Sequence, residues 1–381
     1  MTLLDQFFHD RLLAREREDR LRKLSIHENL IDFCSNDYLG LARSQELFQL
    51  ITRKVETLQP SRNGATGSRL LAGNDSYTEE VENKLTKIFK SEAALIFNSG
   101  YTANQAVLSS IPQRGDTILY DELAHACIKD GARLSMASRF SFHHNDLDDL
   151  EKKIKKAKGK IFIAVESIYS MDGDQCPLAE LIVLSKKYNA FIVLDEAHST
   201  GVVGNEGGGL AVSENLYREI AVRIYTFGKA MGIHGACVSG SRELISYLIN
   251  FARPFIYTTA LPKHSIASID HAFDYLKDHL YLQNELKSKI SLFLQTTEKM
   301  INRTQSRSAI QTVLIPGNKS AKSASLHLQK AGFDARPILS PTVPEGKERL
   351  RICLHSFNTQ AEINALSTIL KDIQENKSVG Q

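Results

Sequence analysis

Hydrophobic and polar positions along the chain follow two periods, one typical of strands and one typical of helices. From residue 80 to about 240, short β-branched runs are separated by segments with helical spacing of apolar residues. The predicted strands cover residues 94–97, 117–120, 160–166, 190–195, 222–227 and 236–239. Strands that alternate with helices in this way form a mostly parallel sheet covered by helices on both faces. The pattern therefore predicts an α/β fold.

The two ends of the chain have different patterns. Apolar pairs spaced four to five residues apart near the N-terminus predict an amphipathic helix that reaches Lys23. Residues 262–302 predict one long helix or two shorter ones, and shorter, mixed strands and helices follow. We expect an N-terminal helix and arm (1–45), a large α/β domain (46–270) and a small C-terminal α+β domain (271–381).

Composition and charge exclude several classes of protein. The 381 residues include 47 Lys and Arg against 44 Asp and Glu, with no basic tract, which argues against nucleic-acid binding. No apolar run approaches the length of a membrane span, and the charged N-terminus does not resemble a signal peptide. The five cysteines form no CxxC pair, which argues against a disulfide framework or a zinc ribbon. We expect a cytoplasmic protein with reduced thiols.

Two segments carry the strongest chemical signal. In AFIVLDEAHSTG (190–201), an apolar strand ends in Asp195, and His198 follows three residues later. In RIYTFGKAMGIHGA (223–236), another strand leads to Lys229 between glycines. A desolvated lysine can form a Schiff base with an aldehyde such as pyridoxal phosphate, and a carboxylate can keep the pyridine nitrogen protonated. The structural alternative is that Asp195 and His198 cap a helix and Lys229 decorates a glycine loop.

Other residues could hold the rest of such a cofactor. FNSGYTANQA (97–106) follows a predicted strand and places Gly100 and Tyr101 at the start of a helix, where backbone N–H groups bind phosphate. Ser170 and Thr226 offer further hydroxyl groups, and His125 could stack on a ring. A plain strand-to-helix turn and a structural histidine are the alternatives.

Metal and nucleotide sites have little support in the sequence. His143 and His144 lack a third ligand at metal-binding spacing, so we predict no metal. No dinucleotide fingerprint or Walker sequence occurs, so NAD and ATP are unsupported.

Eight motifs occur in the order found in the α-oxoamine synthases, which are fold-type I enzymes that use pyridoxal 5'-phosphate. They are SNDYLGL (35–41), GSRLLAG (67–73), SGYTANQA (99–106), HAC (125–127), ESIYSMDGD (166–174), DEAHSTG (195–201), TFGKAMG (226–232) and PTVPEGKERLR (341–351). The resemblance covers residues 15–370. It implies an aspartate aminotransferase-like fold, in which the mostly parallel sheet is joined to a smaller α+β domain.

The resemblance also implies a role for each matching residue. Lys229 would form the Schiff base, Asp195 would pair with the pyridine nitrogen, and His198 would contact the phenolic oxygen. His125 would stack on the ring and share in catalysis, and the remaining cofactor contacts would come from Gly100, Tyr101, Ser170, Thr226 and, from the second subunit of a homodimer, Thr258 and Thr259. Arg351 would bind the amino-acid carboxylate, and its neighbour Arg349 is the alternative for that role. Asn36 would be a polar contact to the substrate, and Thr342 would contact the thioester substrate. Arg22 would also contact the acyl-CoA substrate, and Arg20 is the alternative for that role.

The reaction implied is a decarboxylative condensation of an amino acid with an acyl thioester. L-alanine with pimeloyl-CoA, or with pimeloyl carried by acyl carrier protein, is the pair that the motifs favour. Glycine with acetyl-CoA, L-serine with palmitoyl-CoA, plain aminotransfer and a catalytically silent subunit stay open as alternatives. Glu196, Ser199 and His234 depart from the residues common in the family, and His234 leaves the substrate detail open.

Overall fold

The computed structural model describes residues 1–24, 26 and 29–378. The strands, numbered along the chain, are β1 (Ile31–Asp32), β2 (Ala93–Phe97), β3 (Thr117–Asp121), β4 (Ser138–Phe142), β5 (Ile161–Glu166), β6 (Phe191–Asp195), β7 (Val222–Thr226), β8 (Ala236–Gly240), β9 (Ile310–Leu314), β10 (Phe333–Asp334), β11 (Arg336–Ile338) and β12 (Arg349–Cys353). The helices are α1 (Leu3–Arg17), α2 (Gln45–Thr57), α3 (Ser76–Ile88), α4 (Gly100–Ser110), α5 (Ala126–Leu134), α6 (Leu147–Ile154), α7 (Leu178–Lys187), α8 (Leu210–Ser213), α9 (Arg242–Phe251), α10 (Arg253–Ile256), α11 (Lys263–Asp278), α12 (Tyr281–Thr296), α13 (Asn318–Lys330) and α14 (Gln360–Ser378).

The chain forms two compact units. The larger consists of Asn36–Ser170 and Asp174–Glu285, and the smaller of Met1–Ser35, Met171–Gly173 and Leu286–Gln381. These units are defined by contacts within the chain. The division at residues 45 and 270, drawn from the sequence pattern, stays a prediction about domains.

The larger unit is built on a seven-stranded sheet with the order β2-β8-β7-β6-β5-β3-β4. All neighbours from β7 to β4 are parallel, and β8 is antiparallel to both β7 and β2. Adjacent residues of one strand face opposite sides, so that Val193 packs with α4 and α5 while Leu194 packs with α6 and α7. The predicted mostly parallel sheet covered on both faces is confirmed.

One strand of this sheet was not predicted. Strand β4 lies at the edge beside β3, and its residues Ser138 to Phe140 are exposed. An edge strand that is exposed over most of its length does not need the apolar run that marks the central strands. The sequence SRFSF therefore carries too weak a pattern for a prediction.

The smaller unit contains α1, an antiparallel sheet of order β11-β12-β9, and a parallel pair, β1 with β10. Helix α1 ends at Arg17 and not at Lys23, because Asp19 adopts a left-handed conformation with φ of 55°. None of the residues of α1 is buried against the rest of the described chain.

The described residues include neither a membrane-spanning helix nor a cluster of metal ligands. No helix among them combines the length and the apolar composition needed to cross a bilayer. No group of three or more His, Cys, Asp or Glu side chains among them could hold a metal ion.

His144, a candidate metal ligand in the sequence, is held between two carboxylates. Its Nδ1 lies 2.9 Å from Asp121 Oδ1 and its Nε2 lies 2.7 Å from Asp174 Oδ2. Burial opposes the charged form, but the hydrogen bonds to Asp121 and Asp174 outweigh it and raise the pKa of His144 to about 10. The imidazolium therefore ties the end of β3 to the segment that follows β5.

We expect His144→Gln to flatten the dependence of stability on pH. A raised histidine pKa stabilises the fold fully below pH 6.5, and this contribution is lost as the pH rises toward 10. Between pH 6 and pH 9, urea denaturation should show that the free energy of unfolding falls by about 3 kcal/mol more in the wild type than in the variant. The control is His143→Gln, since the His143 side chain is 69% exposed. Identical pH profiles for the wild type and His144→Gln would contradict the assignment.

Candidate active site

A cavity of about 220 Å³ opens at one edge of the seven-stranded sheet of the larger unit. Strands β3, β5, β6 and β7 are parallel, and β2 runs in the same direction because β8 is antiparallel to both β2 and β7. Their carboxyl ends therefore meet at this edge, which is where open α/β sheets bind ligands. The cavity is lined by Ser99, Gly100, Tyr101, His125, Cys127, Glu166, Asp195, Ala197, Thr226, Gly228, Lys229, His234 and Gly235.

Lys229 follows β7 on a tightly packed loop. A Cβ atom at Gly232, where φ is 66°, would lie 2.2 Å from the backbone nitrogen of Ala42, so only glycine fits this close approach. The Lys229 Nζ lies 2.9 Å from His198 Nε2, and His198 Nδ1 lies 2.8 Å from the Tyr38 hydroxyl. The loop thus places a primary amine against an imidazole beside the cavity.

Asp195 is held by hydrogen bonds on both carboxylate oxygens. The Asn104 side chain donates to Oδ2 at 2.6 Å, and the Ala197 backbone donates to Oδ1 at 2.8 Å. Asp195 is 4% exposed and pairs in register with Glu166 of β5. Burial and the nearby Asp195 raise the pKa of Glu166. The site therefore pairs Asp195, whose two oxygens both accept hydrogen bonds, with Glu166, whose protonated form is favoured.

His125 caps the N-terminus of α5. Its Nδ1 accepts a hydrogen bond from the Cys127 backbone N–H at 3.2 Å, which leaves Nε2 as the nitrogen that carries the proton in the neutral ring. Burial, and then the charge of Lys229, lower the pKa of His125. The ring is therefore neutral at pH 7 and its free nitrogen is a hydrogen-bond donor.

The start of α4 provides an anion-binding end to the cavity. Ser99 caps the helix, its hydroxyl accepting from the Thr102 N–H at 3.2 Å. A Cβ atom at Gly100 would lie 2.3 Å from Thr226 Cγ2, so only a glycine lets the two segments approach. The buried Thr226 Oγ1 has no hydrogen-bond partner among the described residues. Free N–H groups beside an unsatisfied hydroxyl fit a phosphate group.

Most of the predicted cofactor residues converge on this cavity. Six of them line it, and His198 contacts Lys229; the six are Gly100, Tyr101, His125, Asp195, Thr226 and Lys229. Of the others, Ser170 is buried and does not line the cavity, while Thr258 lines a separate cavity with Asn98. Asn98 Nδ2 donates to Thr258 Oγ1 at 3.3 Å and to the Thr259 carbonyl at 3.0 Å.

Comparisons with known proteins identify the family of this chain. The family model for aminotransferases of class I and II matches residues 28–369. An 8-amino-7-oxononanoate synthase of Emericella nidulans is 39% identical over 92% of both chains. A putative 8-amino-7-oxononanoate synthase 2 of Bacillus velezensis is 35% identical over 99% of both.

This chain belongs to the α-oxoamine synthases, within the class I and II aminotransferase family. The resemblance drawn from its motifs is confirmed, and so is the predicted fold. The 8-amino-7-oxononanoate synthase structure of Francisella tularensis matches with a TM-score of 0.79 at 28% identity, covering 92% of this chain and 99% of its own. A serine palmitoyltransferase of S. paucimobilis with a bound PLP–myriocin adduct shares the fold, with a TM-score of 0.90 at 24% identity over the whole of both chains.

Several residues of this α-oxoamine synthase site were not predicted to take part in it. Glu166 and Cys127 line the cavity, Asn104 holds Asp195, and Tyr38 contacts His198. Glu166 could have been found, because it ends the strand next to the one that ends in Asp195. The partners Asn104 and Tyr38 depend on tertiary contacts, so their motifs alone gave no signal.

The predicted substrate residues divide between the two units. Asn36, in the larger unit, accepts from the Tyr38 hydroxyl at 3.0 Å. In the smaller unit, Arg349 and Arg351 lie on the same face of β12, where Arg349 is buried and paired with Asp172. Arg351 is half-buried and donates to Cys353 Sγ at 3.0 Å.

A second cavity, of about 270 Å³, lies within the smaller unit. It is lined by Arg15, Arg20, Leu21, Arg22 and residues 337–342. Arg22 donates to the Thr342 hydroxyl at 3.4 Å, so two residues predicted separately to meet the thioester substrate are in contact. Arg20 is paired with Glu18 at 2.9 Å and donates to Ser340 Oγ at 3.3 Å.

Proposed function

We propose that this protein is a pyridoxal phosphate-dependent 8-amino-7-oxononanoate synthase. It condenses L-alanine with a pimeloyl thioester, carried by CoA or acyl carrier protein, and releases 8-amino-7-oxononanoate, the free thiol and carbon dioxide for biotin biosynthesis. The observation that carries the proposal is the meeting of Lys229, Asp195 and His125 in one cavity of an α-oxoamine synthase. Relatives at 34 to 40% identity with this activity in their names support the choice of substrates.

The residues of the cavity fit pyridoxal 5'-phosphate. The N–H groups at Gly100 and Tyr101, with the Thr226 hydroxyl, would hold the phosphate, and Lys229 would bond to the aldehyde carbon. Asp195 would pair with the pyridine nitrogen, His198 with the phenolic oxygen, and His125 would stack on the ring, while Ser170 would add a further contact to the cofactor. When bound, the cofactor delocalises the electron pair left at Cα of the amino acid after its proton is removed.

The side chains of the protein then move the protons. Lys229 Nζ removes the Cα proton of the amino acid, and the Cα attacks the thioester carbonyl carbon. The C–S bond breaks and the thiolate leaves, taking up a proton. The condensed acid loses carbon dioxide, and Lys229 returns a proton to Cα. His125, neutral with its proton on Nε2, donates a hydrogen bond to the thioester oxygen as negative charge develops there.

Arg351 is our choice for the carboxylate of the amino acid. Arg349 is buried and its charge is paired with Asp172, which makes it the poorer candidate for a substrate carboxylate. An arginine suits this role because its fork matches the two oxygens of a carboxylate. Asn36 adds a polar contact on the substrate side.

We expect Arg22→Ala to raise the KM for the acyl-CoA about tenfold with little change in kcat, because it removes a charged contact to the thioester substrate. Arg20→Ala is the matched control, since Arg20 is already committed to Glu18 and Ser340. Initial rates measured at saturating L-alanine and varied acyl-CoA give the KM of each variant. A tenfold rise in KM for Arg20→Ala alone would transfer the role to Arg20.

The proposed working form is a cytoplasmic homodimer with shared active sites. Thr258 and Thr259 would reach the phosphate in the site of the second copy, which is consistent with their absence from the cavity lining of their own chain. Sedimentation tests this directly. A fully active monomer would contradict the shared site.

The substrate pair is tested by release of free thiol from the cofactor-loaded protein. L-alanine, glycine and L-serine are each combined with pimeloyl-CoA, acetyl-CoA and palmitoyl-CoA. Release with L-alanine and pimeloyl-CoA supports the proposal. Release only with glycine and acetyl-CoA would make the protein a glycine C-acetyltransferase, and release only with L-serine and palmitoyl-CoA would make it a serine palmitoyltransferase.

A further inference from the structure

Tyr38 lies behind His198, on the side away from Lys229, and none of the roles above includes it. Its side chain is buried, with the residue 1% exposed, and its hydroxyl lies 2.8 Å from His198 Nδ1. The same hydroxyl donates to Asn36 Oδ1 at 3.0 Å. His198 itself is 4% exposed. Three buried or half-buried polar groups thus form a row that ends at the Lys229 amine.

The hydrogens in this row fix the state of the imidazole. A tyrosine hydroxyl has one proton, and here it is donated to Asn36. The Tyr38 oxygen can then only accept from His198, so Nδ1 carries a proton and Nε2 presents its lone pair to the Lys229 amine 2.9 Å away. Every donor in the row points from Lys229 toward Asn36.

We propose that Tyr38 is a positioning residue that holds a proton on His198 Nδ1 and so makes Nε2 the proton acceptor for Lys229. When Lys229 gives up a proton, Nε2 takes it, and the Tyr38 oxygen stabilises the resulting imidazolium through Nδ1–H. The imidazolium can donate from Nε2 to the phenolic oxygen of the cofactor, and this last role rests on the proposed function.

The test compares the wild type with Tyr38→Phe by NMR of protein labelled with ¹⁵N-histidine. The nitrogen shifts distinguish Nδ1–H from Nε2–H, and His198→Gln identifies the signal. In the wild type without cofactor, the proton should be on Nδ1. In Tyr38→Phe, the ratio of the Nε2–H to the Nδ1–H tautomer of His198 should rise by about tenfold or more, because the buried Nδ1–H has lost its acceptor.

Two further variants sharpen the test. Tyr77→Phe removes a hydroxyl that donates to Asp270, far from His198 along the chain, and should leave the tautomer unchanged. Asn36→Ala keeps Tyr38 and removes the acceptor of its proton, so the hydroxyl turns to His198 Nδ1 and the tautomer shifts to Nε2–H. This variant answers the question even where Tyr38→Phe folds poorly.

With cofactor bound, Tyr38→Phe should shift the visible absorbance maximum and lower kcat about tenfold or more, while the KM for the amino acid changes less than about twofold. An unchanged His198 tautomer in both Tyr38→Phe and Asn36→Ala would overturn the inference, whatever the activity. A further outcome is that the variants change the His198 tautomer as described while the wild type neither binds the cofactor nor releases CoA. That result would uphold this inference and contradict the proposed function.

Discussion

Lys229→Ala should abolish covalent attachment of the cofactor and lower turnover by a factor of at least about 10³. In the proposed function, the Lys229 amine is the nucleophile that bonds to the cofactor aldehyde, and it is also the base that removes the Cα proton of the amino acid. Its contact with His198 Nε2 at 2.9 Å gives the proton a defined acceptor. Loss of both functions from one side chain makes this the largest effect that we expect.

Borohydride reduction followed by mass spectrometry measures the attachment. The wild type should gain one reduced cofactor per chain on the peptide that contains Lys229, and the variant should gain none. The control is Lys277→Ala, since the Lys277 side chain is 63% exposed and paired only loosely with Glu206 at 3.6 Å. A borohydride-reducible cofactor that stays bonded to the Lys229→Ala chain would refute the assignment.

Asp195→Asn should retain the cofactor but lower kcat by about 10³-fold. An amide is neutral and cannot hold the pyridine nitrogen in its protonated form, so the electron pair at Cα loses its stabilisation. The substitution also replaces one acceptor by an NH₂ group that faces a donor, either Asn104 Nδ2 or the Ala197 N–H. Visible absorbance then measures binding while CoA release measures turnover.

The matched control for this variant is Asp274→Asn on α11, where the carboxylate is 54% exposed and paired with Lys84. Its kcat should stay within about twofold of the wild-type value, because an exposed ion pair contributes little to the stability of the fold. Turnover by Asp195→Asn close to that of the wild type would show that another group supports the pyridine nitrogen.

The sequence predicted which edge of the sheet carries the cavity because strand ends and motifs coincide there. Apolar runs end at Asp195 and just before Lys229, and parallel strands bring such ends to one edge. Edge strand β4 escaped prediction because half of it faces solvent. Glu166 was missed although its predicted strand also ends at this edge, where it pairs in register with Asp195.

The motifs did not predict the residues that hold other site residues in place. Asn104 lies one turn into α4, and only the packing of α4 on the sheet brings its amide to Asp195. Tyr38 stands in SNDYLGL, 160 residues before its partner His198. Contacts of such long sequence separation depend on the completed fold. Thr342 was predicted from its motif and Arg22 from its register in the predicted N-terminal helix, and the two were then found in contact although α1 ends at Arg17.

The most direct test of the account is the stoichiometry of the condensation with L-alanine labelled with ¹³C in its carboxyl group. Cofactor-loaded protein is given this substrate and pimeloyl-CoA, and labelled carbon dioxide and free CoA are measured together. We expect one labelled carbon dioxide for each CoA released, and neither product from Lys229→Ala. CoA release without labelled carbon dioxide would reveal thioester hydrolysis and contradict decarboxylative condensation.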